Sequence, residues 1–231
     1  MRSLPDGFQA LVVGAGGALG AAFVQGLQAD GSCANVWALG RHTEPALDYG
    51  REASVAQAAE QLRERAPFHL IVVATGVLHT PAAQPEKRLA DLGYASMEEI
   101  FRINTFGPAM VLRHFAPLLD RRRSVMALLS AKVGSISDNR LGGWYSYRAS
   151  KAALNMMLKT AAIEMRRTHP GAVLVALHPG TVKSTLSRPF RGDEIGREPR
   201  DAVSSMLQAL DGLGPQDSGA FLAYDGQRLP W

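Results

Sequence analysis

The chain has 231 residues, 46% of them apolar and 20% charged, with a net charge of +4. That composition excludes extended disorder, collagen-like repeats and long coiled coil, and a chain of this length buries about 70–75% of its unfolded surface, enough for a core without staples. The mild positive excess does not point to nucleic acid, and the single cysteine, Cys33, excludes an intramolecular disulfide or a cysteine-built zinc site and suggests a reducing, cytoplasmic setting.

Short apolar runs alternate with longer helical patterns. In chain order the spacing predicts a strand over Phe8–Val13, a helix over Ala18–Asp30, a strand over Asn35–Leu39, a weak short strand near Ala46–Asp48 and a helix over Ser54–Ala66. Then come a strand over Leu70–Thr75, a long helix over Ser96–Leu119, a strand over Ser124–Ser130 and a helix over Tyr147–Thr168. A strand over Ala172–His178, a helix over Arg200–Leu210 and a strand over Ala220–Tyr224 complete the pattern. Strands this uniformly apolar are expected to be covered on both faces. The β–α alternation predicts one parallel sheet with helices on both sides, doubly wound through right-handed crossovers. No repeat, low-complexity tract or composition break marks a second domain. Ala10–Val24, the stretch that most resembles a signal-peptide core, is interrupted by four glycines and reads as strand, turn and helix start. No segment reaches the roughly 20 apolar residues of a membrane span. The Pro-, Gly- and charge-rich stretch 183–199 reads as a long surface loop, of the kind that serves as a lid or binding segment.

The first strand runs into Val13-Gly14-Ala15-Gly16-Gly17-Ala18-Leu19-Gly20. Glycines after a strand let the chain turn tightly and approach a pyrophosphate, which the start of the next helix receives with free N–H groups and its positive dipole end. The second strand ends in Leu39-Gly40-Arg41-His42. An acid there would hold a ribose 2′-OH and favour NAD, whereas an arginine pairs with a 2′-phosphate and favours NADP. Arg41 thus points to NADP(H) over NAD(H), against the plain alternative of a solvated surface arginine. Tyr147 and Lys151 stand four residues apart near a helix start, which puts them on one face. An ammonium beside a phenol favours the phenolate and equips the tyrosine for proton transfer at a carbonyl or alcohol oxygen. The bland reading of the same pair is a half-buried tyrosine beside a solvated lysine.

Taken together these residues resemble the short-chain dehydrogenase/reductase family over essentially the whole chain, most closely its C-factor-like branch. The branch shares Gly134-Ser135-Ile136, the run Tyr145–Lys151 continued by Ala152-Ala153-Leu154-Asn155, and the ending Tyr224-Asp225-Gly226 with Pro230-Trp231. The resemblance implies a single-domain Rossmann fold with a doubly wound, seven-stranded sheet, and an oxidoreductase that reduces a small carbonyl compound with NADPH. It implies Tyr147 and Lys151 as catalytic residues, Asn104 as the anchor of a proton-relay water, and Asp48 as the adenine contact. Pro179 and Gly180 match the segment after the sixth strand, where Val182 and Ser184 meet the nicotinamide carboxamide. A homodimer or homotetramer is likewise implied, with neither nucleic acid nor membrane as partner.

Three departures stand out. The middle glycine of the loop is Ala18, with Gly16 and Gly17 keeping the turn free. The family's Asn-Asn-Ala-Gly after the fourth strand is Val73-Ala74-Thr75-Gly76, so Ala74, Thr75 and Gly76 must back the cofactor ribose without asparagines. The family's Ser-Ser pair is Ser130-Ala131. Ala131 competes with Ser130 for the match to the catalytic serine; Ser130 is the expected donor to the substrate oxygen, with Ser135 in reserve. The six histidines show no metal-ligand spacing. Arg121-Arg122-Arg123 reads as a solvated helix end. Substrate choice falls to 183–199, 79–92 and the surroundings of Gly142–Trp144. The alternative function is a cofactor-binding protein with little turnover that signals through a partner, since the C-factor-like branch includes a protein implicated in cell–cell signalling.

Overall fold

The computed structural model describes residues 1–80 and 84–231, so three residues of the expected substrate segment 79–92 lie outside the described residues. Six strands form one parallel sheet: β1 (Phe8–Val13), β2 (Cys33–Leu39), β3 (Leu70–Val73), β4 (Ser124–Leu129), β5 (Ala172–His178) and β6 (Ala220–Ala223). Their spatial order is β2-β1-β3-β4-β5-β6. The order reverses between β1 and β3, which opens a crevice at the carboxyl ends of those strands. The seventh strand expected near Ala46–Asp48 does not form. Ala46 makes a single bridge to Gly40. Pro45 before it has no N–H to give a ladder, and the Asp48 carboxylate accepts from Gly50 N at 2.9 Å, turning the chain at once.

Strand periodicity sorts the core into two layers. Leu11, Val13, Ile71, Val73, Met126 and Leu128 face one side, while Ala10, Val12, Leu70, Val72, Val125 and Ala127 face the other. The first layer is covered by α2 (Glu52–Gln61), α4 (Gly107–Phe115) and α5 (Tyr145–Met165). The second is covered by α1 (Ala18–Gln28) and α7 (Pro199–Asp211). Fully burying each Leu, Ile or Val of these layers contributes roughly 1.5–3 kcal/mol.

The long helix expected over Ser96–Leu119 is divided. It runs as α3 (Tyr94–Phe101), a π-helical turn over Arg102–Phe106, and then α4. Pro108 explains the break. It has no N–H for the Asn104 carbonyl, and its ring crowds that carbonyl. The backbone widens instead, with Gly107 N bonding Arg102 O. The stretch 183–199 is also more ordered than a bare loop, carrying the short helix α6 (Gly192–Ile195). Its ends are tied by Lys183 N to Arg197 O at 3.0 Å and Arg197 N to Thr181 O at 2.9 Å, the closed form of a compact surface loop.

Candidate active site

The glycine loop is built by exclusion of side chains. Gly14 adopts φ +86°, where a Cβ would lie 2.8 Å from Thr75 Cγ2. A Cβ on Gly20 would lie 2.1 Å from Gly14 O, so α1 packs on the loop only without one. At Gly16 a Cβ would meet nothing within 4 Å, and Gly16, Gly17 and Ala18 are exposed with Leu19 partly so. The backbone there stands open to solvent. α1 begins at Gly17 with no side-chain cap and no acidic residue in its first turn. Its N-terminal N–H groups and dipole are therefore available to an anion, which fits the pyrophosphate of a dinucleotide.

β2 delivers Arg41 beside this loop. Gly14 N and Ala15 N both bond Leu39 O, at 2.8 and 3.1 Å. Two residues on, Arg41 is exposed and forms no ion pair among the described residues. Asp48 lies further along the same rim, partly buried, its carboxylate closing its own turn onto Gly50. The segment replacing the family's asparagines is supported differently. Ala74 N bonds Val13 O at 2.8 Å, and Thr75 Oγ1 lies 3.0 Å from Tyr49 Oη. The Tyr49 ring in turn fills the space over Gly107, where a Cβ would clash at 2.2 Å. Burial pushes the Tyr49 phenol well above its ordinary value, so it stays neutral.

Asn104 sits in the π turn, fully buried. Its Oδ1 accepts from Val77 N at 2.8 Å and its Nδ2 donates to Val77 O at 2.8 Å and Ser150 Oγ at 3.1 Å. Thr105 Oγ1 adds a bond to Ser150 O at 2.8 Å. The widened turn thus clamps the segment after β3 to the second turn of α5. On α5, Tyr147 and Lys151 are both buried, at 9% and 3% exposure. Lys151 Nζ donates to Leu129 O at 2.9 Å, and Gly76 leaves room for it, since a Cβ there would stand 3.2 Å from Nζ. Burial pushes the Tyr147 phenol up to about 12 and pulls the Lys151 ammonium down to about 8. The expected lowering of the phenol by its neighbour is outweighed by desolvation, which acts on both groups against their charged forms.

Ser130 and Ala131 follow β4 and diverge. Ser130, 4% exposed, donates its hydroxyl to Asn155 Oδ1 at 2.6 Å. Ala131 packs with Leu78 and Tyr147. Ser135 Oγ accepts from Asp138 N at 3.1 Å. After β5, Gly180 takes φ +75° against the Tyr224 ring, Val182 is buried and bridged to Arg197, and Ser184 Oγ lies 3.1 Å from Ser187 Oγ. Pro179 leads into this turn. His178 is drawn down to about 4 by burial, with Lys132 adding to the effect, and is neutral at pH 7.

Within the segments expected to set substrate choice, 79–92, 183–199 and the surroundings of Gly142–Trp144, the structure brings particular residues together. Val133, Trp144, Leu186 and Phe190 pack against the group of Leu78, Ala131 and Tyr147. The Trp144 ring stands edge-on to Tyr147 at 6.2 Å and to Phe190 at 5.0 Å. His79 lies 6.0 Å from Phe190, with Nε2 buried and unpartnered. These aromatics come from three separate segments, and no local spacing announces them. Among the described residues no group of His, Cys, Asp and Glu could hold a metal ion, and no helix is long and apolar enough to cross a membrane.

An uncapped glycine loop at the sheet's switch point, with a tyrosine and a lysine one helical turn apart beyond it, defines a dinucleotide-dependent oxidoreductase. A family model described as enoyl-(acyl carrier protein) reductase matches residues 15–227. The chain belongs to the short-chain dehydrogenase/reductase family, as an NAD(P)-dependent oxidoreductase. It is 32% identical to 1-hydroxy-2-glutathionyl-2-methyl-3-butene dehydrogenase of Rhodococcus sp. (strain AD45), over 86% of this chain and 84% of that one. It is 40% identical to the C-signal protein of Myxococcus xanthus, over 62% of this chain and 83% of that one. Among solved structures, NADPH-bound carbonyl reductase from chicken fatty liver superposes with a TM-score of 0.84 at 26% identity, covering 99% of this chain and 96% of that one.

Proposed function

We propose that the protein reduces a small, uncharged carbonyl compound with NADPH, and that Tyr147 is its proton donor. The observation that carries this reading is the buried pair Tyr147 and Lys151 on one face of α5, with Lys151 Nζ beside Gly76 and Tyr147 packed against Leu78 and Ala131. With its phenol raised to about 12, Tyr147 holds its proton at pH 7 and releases it only to a strong base, such as the oxygen of a carbonyl under reduction. Lys151 uses one N–H on Leu129 O and keeps two others for a ribose and for the phenol oxygen. Asn104 holds the backbone at Val77 and α5 in register, and Ala74, Thr75 and Gly76 form the floor under the ribose. Gly14, Gly16, Gly17, Ala18, Leu19 and Gly20 receive the pyrophosphate, Asp48 meets the adenine, and Pro179, Gly180, Val182 and Ser184 meet the carboxamide. Arg41, exposed and without an ion pair among the described residues, pairs with the 2′-phosphate. NADPH, when bound, supplies the hydride. Ser130, which matches the first serine of the family's Ser-Ser pair, donates to the substrate oxygen by giving up its bond to Asn155.

Leu78, Ala131, Val133, Trp144, Leu186 and Phe190 gather into an apolar cluster around Tyr147, which supports an apolar substrate body. The exposed Phe106, Met156, Met157 and Ile163 around α4 and α5 support association into a homodimer or homotetramer, and the lone Cys33 supports a cytoplasmic setting. The alternative is a cofactor-binding signalling protein with little turnover. The bond from Ser130 to Asn155, the alanine beside Tyr147 and the similarity to C-signal favour it. Turnover of a panel of aldehydes and ketones with NADPH and NADH decides between them. Reduction favouring NADPH supports the enzyme; tight NADPH binding without turnover of any compound supports the alternative.

A further inference from the structure

We propose that Glu86 is a positioning residue for Tyr147, holding the first turn of α5 from a segment 60 residues away. The inference rests on the role given to Tyr147 above.

α5 lacks the usual start signals. Its N-cap is Trp144, it has no side-chain cap of its own and no acidic residue in its first turn. The entry is also conformationally demanding. Gly142, Gly143 and Trp144 have φ of +63°, +64° and +53° in succession, and the left-handed region is disfavoured for a tryptophan because its Cβ crowds the following carbonyl. Such a conformation persists only where its surroundings over-determine it.

Glu86 supplies the restraint. It is 4% exposed. Its backbone carbonyl accepts from Trp144 N at 2.5 Å. One carboxylate oxygen accepts from Ser146 N at 3.2 Å and the other from the Ser146 hydroxyl. Both ends of Glu86 therefore grip the two residues flanking Tyr145. A second clamp, the Arg148 guanidinium, donates to the carbonyls of Gly142, Gly143 and Val133. No lysine, arginine or histidine among the described residues forms an ion pair with Glu86; its neighbour Arg88 pairs with Asp91. A buried carboxylate without a cation is costly unless hydrogen bonds and dipoles replace the water. Here the N-terminus of α5 does so, with its amide, its hydroxyl and its positive dipole end.

The placement matters because Tyr147 follows Ser146 directly and the Trp144 ring abuts Tyr147 and Phe190. Glu86 thus fixes the height of the tyrosine along α5 and the placement of the Trp144 ring packed against it at once. A displacement of about 1 Å in a reacting group lowers turnover by about 100-fold.

The test compares wild type with Glu86→Ala, Glu86→Gln and Ser146→Ala, well below each protein's unfolding temperature. We read kcat, KM for substrate, the Kd of NADPH, and hydrogen exchange at the amides of residues 144–147. Glu86→Ala is expected to lower kcat at least 30-fold, leave the NADPH Kd within twofold, and speed exchange at 144–147 at least tenfold. Glu86→Gln, which keeps an acceptor for Ser146 N, is expected to recover most of both losses. If Glu86→Ala does not fold, Ser146→Ala carries the test, with an expected fivefold loss in kcat. A lower unfolding temperature with unchanged kcat and unchanged exchange overturns the inference. Should the wild type show no Tyr147-dependent turnover, the preceding reading is what fails, and exchange at 144–147 still decides whether Glu86 holds the turn.

Discussion

Between Gly14 and Gly20, backbone atoms leave no room for a methyl group at either end of the loop, whereas around Tyr147 the space is filled by side chains from four separate segments. The cofactor end of the molecule is therefore specified by what is missing, and the substrate end by what is added. Its Leu78, Trp144, Leu186 and Phe190 lie up to 112 positions apart, counting from residue 78 to residue 190. A glycine loop transmits one chemistry through backbone N–H groups whatever the neighbouring side chains are. An assembled apolar wall can be rebuilt residue by residue without touching the loop. That asymmetry lets one cofactor site serve many substrate pockets.

The comparison is broken most sharply at Tyr147. Tyr147→Phe removes the proposed proton donor and nothing from the glycine loop. Turnover is expected to fall by about 10²–10⁴-fold, with NADPH Kd within a factor of two by fluorescence titration. Retained turnover would show that the substrate end has another acid. At the opposite end, Arg41→Ala is expected to weaken NADPH by about 10–100-fold, the worth of a hydrogen bond to a charged group, while NADH binding and kcat stay unchanged. A variant that lost NADPH and NADH equally would make Arg41 a part of the loop rather than a reader of the 2′-phosphate. Ser130→Ala sharpens the boundary between the two ends. Because its hydroxyl is held by Asn155, the expected loss in kcat is about tenfold, at the low end for a positioned donor. A loss as large as that of Tyr147→Phe would mean that the bond to Asn155 yields readily to substrate.

The same asymmetry governs what the sequence disclosed. Both β1 and β5 have the boundaries their apolar runs predict, and the glycine loop, Tyr147 and Lys151 stand out because each motif is local. The short strand expected near Ala46–Asp48 is reduced to one bridge by Pro45 and the Asp48 turn. The π turn was missed although Pro108 marks it, because periodicity alone treats α3 and α4 as one helix. Glu86 and Phe190 fall inside the segments 79–92 and 183–199 to which the sequence assigns substrate choice, but nothing local marks either residue within them. A glutamate in a polar stretch and a phenylalanine in a charged loop acquire meaning only when the fold brings them to α5. The depression of the Tyr147 phenol expected from its neighbour also failed to appear, because burial, which spacing does not encode, dominates both groups.

Burial of Lys151 yields the most specific expectation. Its ammonium is lowered from 10.5 to about 8 in the folded chain. Below pH 8 the group is charged in both the folded and unfolded states, and its desolvation opposes folding in full. Between pH 8 and 10.5 the folded protein releases this proton before the unfolded chain does, so the unfolded state binds more protons and stability rises with pH. Tyr147 acts in the opposite sense, and only higher, because its raised phenol costs stability as pH climbs from 10 to about 12. Lys151→Met removes the first effect and leaves the second. The difference in unfolding temperature between Lys151→Met and wild type is therefore expected to be constant below pH 8. It should then move by up to about 10 °C in favour of wild type between pH 8 and 10.5, since the drop from 10.5 to about 8 corresponds to roughly 3 kcal/mol at about 2–4 °C per kcal/mol for a chain of this size. Thermal unfolding followed by circular dichroism across that range reads it directly. Parallel pH profiles for the two proteins would mean that Lys151 keeps its ordinary ammonium inside the fold, with Leu129 O and the surrounding dipoles replacing the water it lost.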